Sequence, residues 1–204
     1  MGRVSDAKQR LMDAVSELIW TGSYGSTTID QICDKAEVKK GSFYYFFESK
    51  ADLAVAAIDA ACGKKQAEMD TIFSATVPPL ERIRKFCEFG YQKQVEMQAK
   101  YGSVLGCPLC TLGSEVSTQE QKLRQRIEQI MDGQRKYLES AIRDAHAEGL
   151  VDAPNAGEKA KMLQVYLHGL MTQARIQNKL EVLRDGFNGV FALLGVKNTN
   201  LAAA

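Results

Sequence analysis

An all-α fold is predicted by three features of this 204-residue sequence. Apolar side chains recur three and four residues apart along most of its length. Glycine and proline punctuate it at intervals suited to helices. No period-two alternation runs long enough to make a strand. The pattern separates an N-terminal block over 1–50 from a larger helical block over 51–197, and predicts a disordered tail of small residues over 198–204.

Each element has its own signature. Leu11, Ala14, Val15, Leu18 and Ile19 share one helical face, and Gly22 and Gly25 end that helix. Thr28 followed by Gln31 fits a capping box that opens a second helix. Ile29, Ile32 and Cys33 supply its buried face, and it runs to about residue 36. After the break at Glu37-Val38-Lys39, a short third helix spans 40 to about 47. Ser49 caps a long fourth helix that buries Leu53, Ala57 and Ile58. Pro78-Pro79 starts a fifth, to about residue 100. Gly106-Cys107-Pro108 marks the next boundary, with a short helix over 108 to about 116. Residues 119–148 read as one long charged helix that ends at Gly149. Two helices, over 158–178 and 180–194, complete the pattern.

Composition narrows the function classes. With 45% hydrophobic and 25% charged residues the chain is a globular protein with a real core, not a disordered one. A formal net charge of +1 implies no global attraction to nucleic acid or membrane. Charges interrupt every apolar run before it could cross a bilayer, and no signal-like segment is visible, so no membrane partner and a cytoplasmic location are expected. The five cysteines, Cys33, Cys62, Cys87, Cys107 and Cys110, lack a disulfide rhythm and are expected as thiols. His146 and His168 are isolated and no cysteine–histidine spacing suits zinc, so neither a metal nor a cofactor is expected. Nucleophile–base pairs, phosphate-binding glycine loops and paired carboxylates are also missing, which argues against an enzyme.

The first three helices carry the clearest chemistry. A short helix led by Lys39-Lys40-Gly41-Ser42 is small enough for a DNA major groove. It presents two cations, a hydroxyl, and a glycine that lets the backbone come close. Tyr44 and Tyr45 add hydroxyls and rings for phosphate or thymine-methyl contacts. Lys50, near the start of the fourth helix, is expected to hold a phosphate. Electrostatics alone leaves the matter open, because residues 1–50 contain seven Lys/Arg and seven Asp/Glu.

The string Gly25-x-x-Thr28-Ile29-x-x-Ile32, then Ala36-x-Val38-x-x-Gly41-x-Phe43-Tyr44-x-x-Phe47-x-x-Lys50-x-x-Leu53, closely resembles the DNA-binding domain of TetR-type repressors over about residues 7–55. The resemblance implies a helix-turn-helix DNA-binding domain followed by a helical ligand-binding and dimerisation domain. It implies a homodimer on double-stranded operator DNA, released by a small effector. Carried over residue by residue, Thr27 and Thr28 touch phosphate, with Thr28 also a cap. Lys39, Lys40, Gly41, Ser42 and Tyr45 enter the groove, while Tyr44 and Lys50 hold the DNA backbone. Phe43 and Phe47 belong to the core. Two departures stand out: Glu37 where glycine is common in the turn, and Phe46 where histidine is frequent.

In the second block, Met162, Val165, Tyr166, Gly169, Leu170 and Gln173 share one helical face, and Leu180, Leu183, Phe187, Val190, Phe191 and Leu194 give the last helix an apolar stripe. These two helices are expected to form the dimer interface, or else to close the monomer core. The effector is expected to be hydrophobic and without strong charge. Its expected walls are Met69, Phe73, Phe86, Phe89, Cys107 and Cys110, together with Tyr137, Tyr166, His168 and Met171. The Gly106-Cys107-Pro108 start of the mid-domain helix is similar to one branch of the TetR family. It leaves a thiol-based redox or electrophile sensor using Cys107 as an alternative, beside the plain reading of both cysteines as small apolar residues.

Overall fold

The computed structural model describes the backbone of residues 2–196 and the side chains from Asp6 onward. The tail expected over 198–204 lies outside the described residues, as does residue 197. Nine helices and no strand occur among the described residues: α1 (Gly2–Thr21), α2 (Ile29–Ala36), α3 (Lys40–Phe46), α4 (Lys50–Ile72), α5 (Pro79–Tyr101), α6 (Pro108–Val116), α7 (Gln121–Ala147), α8 (Ala156–Gln177) and α9 (Glu181–Leu194). The all-α expectation holds. None of these helices is long and apolar enough to cross a membrane.

The chain packs as two compact units, one of residues up to 66 with 108–130, the other of 67–107 with 131 onward. Most of α4, all of α6 and the start of α7 consolidate with the N-terminal helices.

In the first unit, α1 packs against α2, α3 and α6. Leu11, Val15, Ile32, Phe43 and Leu53 are fully buried, as are Leu112, Val116 and Leu123 to within a few per cent. The capping box at Thr28 forms as expected: its hydroxyl accepts from Gln31 N–H at 3.2 Å while Thr28 N–H donates to Gln31 Oε1 at 2.8 Å. Ser49 caps α4 by accepting from Asp52 N–H at 3.1 Å. The turn between α2 and α3 depends on Glu37, which sits in the left-handed region at φ 53°. There the chain reverses so that Val38 N–H reaches the Cys33 carbonyl at 2.9 Å, satisfying one of the last carbonyls of α2. Arg10 takes two more, donating to the carbonyls of Ala36 at 2.9 Å and Glu37 at 3.3 Å.

The second unit is built around α5, the C-terminal part of α7, α8 and α9, through Ile83, Leu138, Ile142, Leu163 and Val190. Arg82, 4% exposed, donates to the carbonyls of Val77 and Ala75 and pairs with Asp144, so its buried charge is fully answered. Helix α8 opens at Ala156, earlier than its pattern suggests, because Asn155 accepts from Glu158 N–H at 3.1 Å. Helices α8 and α9 meet closely. A Cβ on Gly189 would lie 2.0 Å from the Tyr166 hydroxyl, and one on Gly186 2.4 Å from Leu170.

A side chain held at φ > 0 stores about 1 kcal/mol of strain that glycine does not. Glu37→Gly is therefore expected to stabilise the protein by about 1 kcal/mol, raising Tm by about 3 °C in a thermal melt. An unchanged or lower Tm would show that Glu37 is not strained.

Candidate functional site

Helix α3 and the residues leading into it form an exposed, chemically loaded surface of the first unit. Phe43, completely buried, and Phe47, 6% exposed, anchor the helix to the core as expected. The helix then turns its other face outward, leaving Tyr45 76% and Tyr44 54% exposed. Both rings are steadied edge-on: Tyr44 against Phe43 at 5.2 Å between centroids, Tyr45 against Phe46 at 4.9 Å. Phe46, which replaces the frequent histidine, thus serves as a rest for Tyr45. Thr28, Lys39, Lys40 and Gly41 are exposed and Ser42 half-buried, so this set shares one accessible region. Nothing lies within 4 Å of where a Gly41 side chain would begin, which leaves that backbone open to approach.

Lys40 pairs with Asp30 at 2.7 Å, and this hydrogen bond raises the pKa of its amine above the usual lysine range. Both partners are exposed, so the pair is weak.

Two expected contacts are corrected. Thr27 is 5% exposed and its hydroxyl donates to the Ser23 carbonyl at 2.6 Å, so it is committed inside the protein. Lys50 points inward as well. Its amine donates to the carbonyls of Tyr24 and Thr27, each at 2.7 Å, and lies 4.1 Å from the Tyr24 ring centroid. Burial lowers its pKa. Lysine at this position braces the loop before α2, its long cationic chain donating to both carbonyls, of which that of Tyr24 also accepts from Thr27 N–H at 3.3 Å.

That loop has a second brace, which sequence reasoning missed. Glu115 on α6 accepts Tyr24 N–H at 2.8 Å with one oxygen and Gly25 N–H at 2.7 Å with the other. Glu120 accepts the Tyr24 hydroxyl at 3.0 Å, and burial, together with that bond, raises the Tyr24 pKa well above the usual tyrosine range. Asp52 pairs with Lys122, and Asp59 with Arg126 at 2.7 Å, adding further ties within this unit. No local pattern announces such pairings, since the partners lie more than sixty residues apart in the chain.

The second unit encloses a cavity of about 100 Å³. Of the expected walls, Phe86, Cys107, His168 and Met171 line it. The others are placed differently. Phe73 is buried in the core against Phe86 and Tyr137, with Met69 packed beside it. Tyr137 bonds to Asp70, and Tyr166 donates to the Gly186 carbonyl at 2.8 Å. Phe89 has Lys93 over its ring at 5.6 Å, and Cys110 belongs to α6 in the first unit. The unexpected walls are Cys87, Gly90, Leu138, Leu167 and Phe187, with the amides of Gln134 and Gln164. A signal for them existed. Gln164, Leu167, His168 and Met171 fall at i, i+3, i+4 and i+7 on α8, so two polar residues interrupt one otherwise apolar face.

Cys107 is set in the wall by its approach segment. Gln94, 4% exposed, clamps Gly106 from both sides, accepting its N–H at 2.8 Å and donating to its carbonyl at 3.1 Å. Gly106 adopts φ 66°, and a Cβ there would meet the Met171 carbonyl at 2.9 Å, so glycine is required on two counts. Arg175 donates to the Leu105 carbonyl at 2.7 Å, and Asn178 accepts Val104 N–H at 2.8 Å. Within the cavity, burial lowers the pKa of His168, which keeps the imidazole neutral near pH 7. Burial pushes the Cys87 thiol up to about 12, which makes it an inert apolar wall.

Comparison with known proteins places both units in one family. Residues 11–57 match the family model for bacterial regulatory proteins of the tetR family, and residues 79–188 match the tetracyclin repressor-like C-terminal domain. An HTH-type transcriptional regulator in the lacX 3′ region of Lactococcus lactis subsp. lactis is 26% identical over 185 residues, 90% of each chain. The HTH-type transcriptional repressor NemR of Escherichia coli (strain K12) is 25% identical over 199 residues, 95% of this chain and 93% of that protein. Among solved structures, the regulatory protein TetR from Rhodobacter sphaeroides superimposes with a TM-score of 0.81 at 25% identity, covering 92% of this chain and 98% of that one.

Removing the Glu115 carboxylate leaves two N–H groups of the α1–α2 loop without their acceptor, and hydrogen bonds to charged groups contribute about 1.5–3 kcal/mol. Glu115→Ala is therefore expected to cost about 2 kcal/mol in denaturant unfolding, and Glu115→Gln less, because one acceptor oxygen remains. Equal losses from the two variants would contradict a bidentate role.

Proposed function

Since the chain belongs to the TetR family of bacterial regulatory proteins, we propose that it acts as a homodimeric repressor that holds operator DNA through α3 and releases it when a small, largely apolar molecule fills the cavity of its second unit. Membership makes it a DNA-binding transcriptional regulator. The observation that carries the choice of contact residues is the outward array on α3. Lys39, Lys40, Gly41, Ser42 and Tyr45 lead into the groove, Tyr44 holds the DNA backbone, and Thr28 offers a hydroxyl to phosphate at the start of α2. Thr27 and Lys50 act behind this surface by fixing the loop that presents α2.

Affinity on this reading comes from a few placed groups, not from a basic field, because the N-terminal segment is neutral. The E. coli relative NemR is itself an HTH-type transcriptional repressor, which supports repression as the sign of control.

The dimer reading is supported by α8. Met162, Val165 and Ile176 are 47%, 65% and 70% exposed, with exposed Gly169 among them on the same helix. A second copy would cover this apolar stripe, as a closed two-fold pair requires the same patch on both chains. Tyr166 and Leu170, expected on the same face, turn instead to α9 within one chain.

Two outcomes are expected. Replacing Lys40 and Tyr45 together by alanine should abolish the specific mobility shift of an operator selected from random DNA by the purified protein; intact binding would refute the assignment of α3. Val165→Asp should convert the dimer to a helical monomer in sedimentation and weaken operator binding. A variant that stays dimeric would exclude the α8 stripe from the interface.

A further inference from the structure

The cavity of the second unit carries hydrogen-bonding capacity that the protein does not use. Gln164 is 9% exposed and donates from Nε2 to the Met131 carbonyl at 2.8 Å. Its Oε1 finds no donor among the described residues. The same holds for the amide of Gln134 and for the ring nitrogens of His168, whose hydrogen bond is made by its backbone carbonyl. Gln164 is buried while Gln134 and His168 are half-buried, so the three unanswered groups around this single space are open to an occupant that reaches it.

Their chemistry restricts what can answer them. No Lys, Arg, Asp or Glu lines the cavity. An anion or cation placed there would lose its hydration without gaining a counter-charge, which costs far more than a neutral group does. A neutral imidazole offers one donor and one acceptor, and a carboxamide offers both. Gln164 Oε1 can only accept, so the occupant must bring an O–H or N–H. A hydroxyl meets the whole set: it donates to Gln164 Oε1 and its oxygen accepts from the Gln134 amide or the His168 N–H.

The remaining walls set size and shape. Phe86, Phe187 and Met171 favour a flat apolar body through ring and sulfur contacts. A dry cavity of about 150 Å³ is enough for benzene, whereas this one measures about 100 Å³. A ring therefore enters only as a wall yields. Met171 is the wall that can, being unbranched, and its Cε already rests 3.0 Å from where a Cβ on Gly90 would lie.

We propose that this cavity is a receptor site for a small uncharged molecule presenting one hydroxyl on an otherwise apolar, ring-sized body. The proposal rests on the reading of the cavity as the effector site and adds the chemical class of the effector.

The test uses the full-length protein, calorimetric titration, and three probes of similar shape: phenol, toluene and benzoate. Phenol is expected to bind about tenfold more tightly than toluene, the scale of one well-made hydrogen bond to a buried group, and benzoate more weakly than either. Gln164→Leu should reduce phenol to the affinity of toluene while leaving toluene within about twofold. Gln134→Leu is the second variant, because its amide bonds to nothing in the described protein; it should weaken phenol selectively even if Gln164→Leu does not fold. Toluene binding as well as phenol, benzoate binding best, no binding of any probe, or phenol binding undiminished in the folded variants would each overturn the proposal. Operator release is measured separately. Phenol that binds without releasing operator leaves the cavity chemistry standing and removes the effector reading. Release by charged compounds alone, without phenol binding, does the reverse.

Discussion

The presentation of the DNA-reading helices depends on how one short loop, Tyr24 to Thr27, is held. Left to itself it would expose two N–H groups and two carbonyls in a half-buried setting. Glu115 takes the N–H groups of Tyr24 and Gly25, and Lys50 takes the carbonyls of Tyr24 and Thr27. Opposite charges thus grip opposite ends of one peptide unit, that joining Tyr24 to Gly25, and one end each of two others. Thr28 can then begin α2 with its capping box, and α2 can set the turn at Glu37 that aims α3. A loop left to water would fix none of these angles.

This arrangement explains why the first compact unit is larger than a three-helix domain. Glu115 lies on α6 and Glu120 just before α7, while Lys122 and Arg126 on α7 pair with Asp52 and Asp59 on α4. These interactions are individually modest because most are exposed. They are directional, however, and they connect the loop before α2 to helices that continue beyond the unit. α4 and α7 each run on into the second unit, and α6 begins at the residue after Cys107, itself a wall of the cavity.

The cavity follows a related logic. Its apolar walls come from ordinary helix faces, but its polar content is selected. Gln94 is consumed in holding Gly106 and Arg175 in holding Leu105, so these groups are structural. Gln134, Gln164 and His168 retain capacity.

Much of this molecule was legible in its residues. The helix pattern, the Thr28–Gln31 and Ser49 caps, the buried Phe43 and Phe47 and the left-handed turn at residue 37 all follow from spacings of a few residues, over which backbone geometry is nearly independent of the rest of the chain. The family string from Gly25 to Leu53 belongs to the same local class, and it identified the reading helix although net charge did not. The misreadings share a different cause. Lys50 looks like a phosphate ligand until the carbonyls of Tyr24 and Thr27 are seen to claim it. Tyr166, Tyr137 and Phe73 look like pocket walls until Gly186, Asp70 and the core take them. Local order in this protein is set by near neighbours along the chain, so sequence alone determined it. Where a polar or aromatic side chain spends its one strong interaction depends on partners twenty to ninety residues away, and that only the tertiary structure decided.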